Sequence, residues 1–115
     1  MLKVLAKKSN SATVLCLEGQ IINGETEILR NAVQSAAGAS EITLNLANVR
    51  VVDAHGLGVL LQIREQAQAR GMKLELMNVG KHLRELFRMT RLDSVFQIRS
   101  GVEFLPRFAP SRVAA

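Results

Sequence analysis

Residues 41–61 read EITLNLANVRVVDAHGLGVLL, and a change of period inside this stretch decides the fold. In Glu41-Ile42-Thr43-Leu44-Asn45-Leu46 every second residue is apolar, the mark of a strand with one face buried. Val49, Val51 and Val52 carry extended chain on to Asp53. Beyond Asp53 the apolar residues Val59, Leu60, Ile63 and Ala67 recur at helical spacing. A helix therefore starts near residues 54–57 and ends before Gly71. A strand running straight into a helix is half of a βαβ unit.

The same alternation extends in both directions. Upstream, Ala12-Thr13-Val14-Leu15-Cys16-Leu17-Glu18 is a short apolar run with β-branched members, bounded by Gly19, and reads as a buried strand. Asn23-Gly24 is turn chemistry, and Glu25 and Glu27 suit the first turn of a helix reaching about Ala37. Its apolar residues Ile28, Leu29, Ala32, Val33 and Ala36 mark one face. Downstream, Lys73-Leu74-Glu75-Leu76-Met77 alternates as a strand. Asn78 is placed to cap a helix over 80–90 with Leu83, Leu86, Phe87 and Thr90 along one side. Val95-Phe96-Gln97-Ile98 is a last extended piece, and Lys3-Val4-Leu5 suits an antiparallel edge strand. Crossover helices between strands predict an α/β fold: a small mixed, mostly parallel sheet of four to five strands with helices packed on it. The domain is expected over residues 1–105. The segment 106–115, with Pro106 and Pro110, is expected to be a flexible C-terminal tail.

Composition narrows the function. With 115 residues and 48% hydrophobic residues there is one domain and enough apolar chain for one core. Tryptophan and tyrosine are absent, which argues against the base-stacking surfaces of single-strand nucleic-acid readers. The single cysteine, Cys16, excludes an internal disulfide and a cysteine-built metal site, and reads as a small core residue. The apolar part of residues 1–8 is too short for a signal peptide or a membrane span, so a cytoplasmic protein without membrane insertion is expected. The net charge of +5 lies in the second half. Residues 1–57 hold five basic and five acidic side chains, and residues 58–115 hold ten and five. The arginines are scattered among acids, so a solvated surface rather than a nucleic-acid site is expected.

Ligand sites in α/β sheets form outside the carboxyl ends of strands. Here that place is Asp53-Ala54-His55-Gly56-Leu57-Gly58, where a strand meets a helix N-terminus with unpaired N–H groups. Asp53 can cap the helix, and Gly56 and Gly58 let another backbone come close. Catalysis is not expected. Asp53 and His55 lie two apart in a tight helix entry, and no serine has a Gly-x-Ser-x-Gly context. A metal would need His55, His82 and a carboxylate, and His82 reads as a solvated residue near a helix start. Neither a metal nor another cofactor is expected.

The chain resembles the STAS domain, the module of bacterial anti-sigma factor antagonists and of the cytoplasmic tails of sulfate transporters. The carrying residues are Leu44-Asn45-Leu46-Ala47-Asn48-Val49, Val52 to Leu61, Arg70-Gly71, Leu74 to Val79, and Leu92-Asp93-Ser94-Val95-Phe96, with Leu17-Glu18-Gly19-Gln20-Ile21 upstream. The resemblance implies a partner-docking surface at the 53–58 loop, joined by Leu61 on the helix and by Ile22 and Asn23. It implies an anti-sigma factor of the serine-kinase ATPase type as partner. The family's usual loop reads Asp-Ser-Ser-Gly-Leu, and its second serine is phosphorylated by that partner. Here Asp53 and Gly56 keep the pattern, the first serine is Ala54, and His55 stands at the phosphoacceptor-equivalent position. An imidazole cannot replace a hydroxyl in a serine-kinase switch, so constitutive docking or another scaffolding role is expected. Ile22 stands where many members carry an aspartate, which makes the surface more apolar and suggests a different partner or a homodimer. The alternative reading is an accessory subunit of an ABC-type lipid transport system that binds the transporter ATPase.

Overall fold

The computed structural model describes residues 1–36 and 38–99. The elements follow in the order β1 (Lys3–Ser9), β2 (Ala12–Ile21), α1 (Glu27–Ser35), β3 (Glu41–Val52), α2 (Ala54–Ala69), β4 (Lys73–Met77), α3 (Lys81–Met89) and β5 (Gln97–Arg99). They form a mixed α/β fold whose five-stranded sheet has the order β1-β2-β3-β4-β5. β1 pairs antiparallel with β2, and every other pair is parallel. The α/β fold read from the alternation is the observed one. The expected tail over 106–115, and the boundary at 105, lie outside the described residues.

Register shows why the core sits on one side. Ala6, Leu15, Leu44, Leu76 and Ile98 form one row across all five strands, and Thr13, Ile42 and Leu74 form a second. Side chains alternate between faces along a strand, so these rows share a face. Leu15, Ile42, Leu44 and Leu76 join Leu29 and Val33 of α1, Val59, Leu60 and Ile63 of α2 and Phe87 of α3 in one buried cluster. Right-handed crossovers that always step in the same direction place successive helices on that same side. Phe87 and Phe96 stack with centroids 5.3 Å apart, closing the cluster under α3. On the opposite face Glu75 is buried, and its Oε2 takes Arg99 Nε at 3.0 Å and Lys73 Nζ at 3.5 Å. Burying a carboxylate is tolerable only with such opposite charge beside it.

Several local expectations shift. β2 continues past Gly19 to Ile21, because Gly19 adopts φ +120°, a conformation open to glycine, and carries the strand through a bend. α1 stops at Ser35, with Ala36 as its C-cap. Ile28, expected on its buried face, is exposed. Asn78 does not cap α3, since Gly80 does. Asn78 adopts φ +59° and donates through Nδ2 to Asn45 Oδ1 at 3.1 Å. Cys16 is half-buried on the face opposite the core rather than within it.

The feature that positions the site is a mismatch in strand length. β3 is twelve residues long and β2 is ten. The offset between partners grows by one after Cys16–Asn45 and by one more after Gly19–Val49, so β3 holds two extra residues. Asn45 Oδ1 accepts from the N–H of Ala47 at 3.0 Å and satisfies a donor freed at the first irregularity. Beyond the second, Val52 lies beside Ile21.

Leu44 is fully buried at the centre of the long row. Leu44→Ala is expected to lower stability by about 2–5 kcal/mol, the usual cost of a core leucine deletion, in urea denaturation. A loss within the scatter of surface substitutions would show that this row does not organise the core.

Candidate functional site at the start of α2

Asp53 is the first residue after β3 and the N-cap of α2, with extended backbone. Its Oδ1 accepts from the N–H of Gly56 at 2.7 Å, which satisfies one of the unpaired donors of the first turn. Its Oδ2 accepts from the N–H of Asn23 at 3.0 Å. Its own N–H donates to the carbonyl of Ile21 at 3.3 Å, and its carbonyl receives Leu57 N–H at 2.9 Å. One side chain thus joins the 22–26 loop to the start of α2. The Asn23 N–H bond, then that of Gly56, holds the Asp53 carboxyl below the usual carboxylate range, with a smaller contribution from His55.

The expected site residues fall into two groups. Gly56 and Leu57 are buried. A Cβ on Gly56 would run into the carbonyl oxygen of Ile21, so the close approach this glycine permits is to the chain's own β2. Leu57 belongs to the core cluster. Both shape the loop from beneath. Ala54, His55 and Asn23 are exposed, and Ile22, Gly58 and Leu61 are half-buried. A Cβ on Gly58 meets nothing within 4 Å, so space lies open above the first turn. Val51, near the end of β3 and beside Gln20 in the ladder, is exposed, which sequence reading did not foresee. The signal was available: Val51 and Val52 are adjacent in a strand, so one of them must turn away from the core.

The arrangement offers a small surface of Ile22, Asn23, Ala54, His55, Gly58 and Leu61 around a helix N-terminus. Among the described residues no group of three His, Cys, Asp or Glu side chains could hold a metal ion. Among them also, no helix is long and apolar enough to cross a membrane.

The sequence profile of the STAS domain matches residues 3–105. The chain belongs to the STAS domain family. A protein carrying the name anti-sigma factor antagonist BtrV, from Bordetella bronchiseptica, is 25% identical over 104 residues, spanning 89% of this chain and 90% of that protein. The crystal structure of an anti-sigma factor antagonist from Mycobacterium paratuberculosis superposes with a TM-score of 0.72 at 19% identity, over 85% of each chain. A sulfate transporter family protein from Wolinella succinogenes superposes with a TM-score of 0.70 at 18% identity, over 78% of this chain and 77% of that one. These two likenesses establish the shared fold. The STAS domain described here is anti-sigma factor antagonist-like.

Two predictions follow from the geometry of Asp53 and Gly56. Because folding lowers the Asp53 pKa, its stabilising effect is complete above the ordinary carboxylate range and fades as pH falls through the folded value. Asp53→Asn keeps the shape and removes the charge. Its melting temperature should lie a few degrees below wild type at neutral pH, and the gap should close on acidification. A gap that persists unchanged in strong acid would show that charge is not what holds the two loops. Gly56→Ala should cost about 1–3 kcal/mol, since backbone stands where the methyl must go. Gly58→Ala, two residues on, should be neutral or stabilising by up to about 1 kcal/mol. Equal effects in chemical denaturation would remove the distinction between the two glycines.

Proposed function

We propose that this domain is a non-catalytic interaction module that docks an anti-sigma factor of the serine-kinase ATPase type, without control by serine phosphorylation. The observation that carries the reading is the pair Ala54-His55. Both side chains are exposed on the first turn of α2, at the place where the family's hydroxyl pair stands. A phosphate there would sit beside unpaired helix N–H groups and would alter a surface rather than a core. The surface is present in this chain and the acceptor hydroxyls are absent from it. Asp53, Gly56 and Leu57 fix the shape of the loop. Ile22, Asn23, Ala54, His55, Gly58 and Leu61 offer the contact.

The name of the Bordetella relative supports an anti-sigma factor as partner. A second reading has its own support. The loss of both hydroxyls and the apolar Ile22 suit a transporter ATPase as partner, where no phosphoserine switch is needed, and the Wolinella neighbour comes from a sulfate transporter family. Binding of the purified domain to each class of ATPase, measured by calorimetry, separates the two.

Gly58→Arg tests the surface itself. The substitution has room, and Val59, Leu60, Ile63 and Ala67 on the core face of α2 are untouched. A folded protein with binding weakened about tenfold or more is expected, because interface centres tolerate an unpaired charge poorly. Undiminished binding would move the contact elsewhere, with the exposed basic residues Lys81, Arg84 and Arg88 of α3 as the next place to look.

Incubation with a serine-kinase anti-sigma factor and ATP should leave residues 53–58 unmodified in intact-mass analysis. His55→Ser should restore transfer to a partner that retains its kinase site. Phosphate found on wild-type residues 53–58 would overturn the absence of the switch.

A further inference from the structure

A second surface lies along the β1 edge of the sheet, away from the 53–58 loop. β1 is terminal in the strand order, and among the described residues no strand pairs with its outer side. Along its seven residues, those whose N–H and C=O point away from β2 offer donors and acceptors to an incoming strand. Beside it, between β1 and α1, is a cavity of about 300 Å³ lined by Val4, Ala6, Leu15, Ile28, Ala32 and Ala36, with Lys8 at its border. Ile28 is 44% exposed at this groove although the helix period places it on the inward side. Leu5, on the other face of β1, is 61% exposed. An edge with an apolar groove under it is the geometry of strand addition, in which main-chain bonds supply affinity and alternate side chains enter a pocket.

Charge identifies the occupant. β1 carries Lys3, Lys7 and Lys8 and no acidic residue. Lys3 lies opposite Glu18 across the ladder, whereas Lys7 faces Val14 and Lys8 faces Thr13. Among the described residues neither Lys7 nor Lys8 forms an ion pair. A second copy of this chain is a poor guest, because it would bring the same three lysines to the edge and no acidic residue to meet them. We infer that the β1 edge and the β1–α1 groove bind an extended, acidic segment of a partner protein, which adds a strand to the sheet and places an apolar side chain against Ile28 and Ala32.

The test uses the whole chain, uniformly labelled with ¹⁵N, and a synthetic heptapeptide that alternates glutamate with valine. Amide shifts confined to residues 3–9 and 28–36 are expected at millimolar peptide. Binding should weaken by about fivefold or more in Lys7→Glu/Lys8→Glu and should fall with added salt in the wild type, since the paired charges are exposed. The salt titration stands even if the double variant does not fold. A peptide alternating lysine with valine should not bind. The proposal is overturned by an absence of shifts, by shifts at 53–58 instead, or by equal binding of the lysine peptide. Shifts of the same amides on concentrating the protein alone would also overturn it and assign the edge to a second copy.

Discussion

The Asp53 carboxylate holds two chain segments that otherwise share no secondary structure. Asn23 N–H reaches one of its oxygens and Gly56 N–H the other. The first bond fixes the loop that leads into α1, and the second starts α2. The exposed residues of the proposed docking surface, Asn23, Ala54 and His55, lie within a few positions of one of these two bonds. The surface is therefore composed by a cap, and its shape is set where the helix begins. A neutral side chain at 53 would loosen both segments at once, even though the sheet beneath them has its own core.

That sheet supplies the frame on which the cap rests. The row of Leu15, Leu44, Leu76 and Ile98 anchors the strands against the three helices. On the other face the buried Glu75 ties β4 to β5 through Arg99, with Lys73 of its own strand adding opposite charge. The molecule thus keeps its apolar side for packing helices and its polar side for pinning strands. The candidate site stands at the end of both, where α2 leaves β3.

Much of this was legible in the residues. Strict alternation in Glu41 to Leu46 and in Lys73 to Met77 marked two central strands, and helical spacing of Val59, Leu60, Ile63 and Ala67 marked the inner side of α2. Asp53 as a cap followed from its position before the helix period begins. What was not legible depends on chain segments meeting in space. Gly56 reads as an open glycine until Ile21 is found against it. Asn78 reads as a cap until Asn45, distant in sequence, takes its amide. Leu57 is expected on the docking surface with the rest of the 53–58 loop, although it stands three residues before Leu60, and the packing shows that its side chain turns inward. Period reports which face a residue occupies within its own element. It does not report which other element has come to rest there.

The two extra residues of β3 have a consequence for how this surface can change over generations. A strand keeps its faces by counting in twos, so one inserted residue would turn all that follows inside out unless a bulge absorbs it. In β3 each irregularity takes up its extra residue locally, so Val49 beside Gly19 and Val52 beside Ile21 still pack against the core on the side that Leu44 occupies beside Leu15. Val52 then returns beside Ile21, and Asp53 arrives where Asn23 can meet it. Length in this strand is consequently free to change one residue at a time. A lineage can gain or lose a residue here and keep the loop at 53–58 on the same side, provided that a bulge absorbs the step.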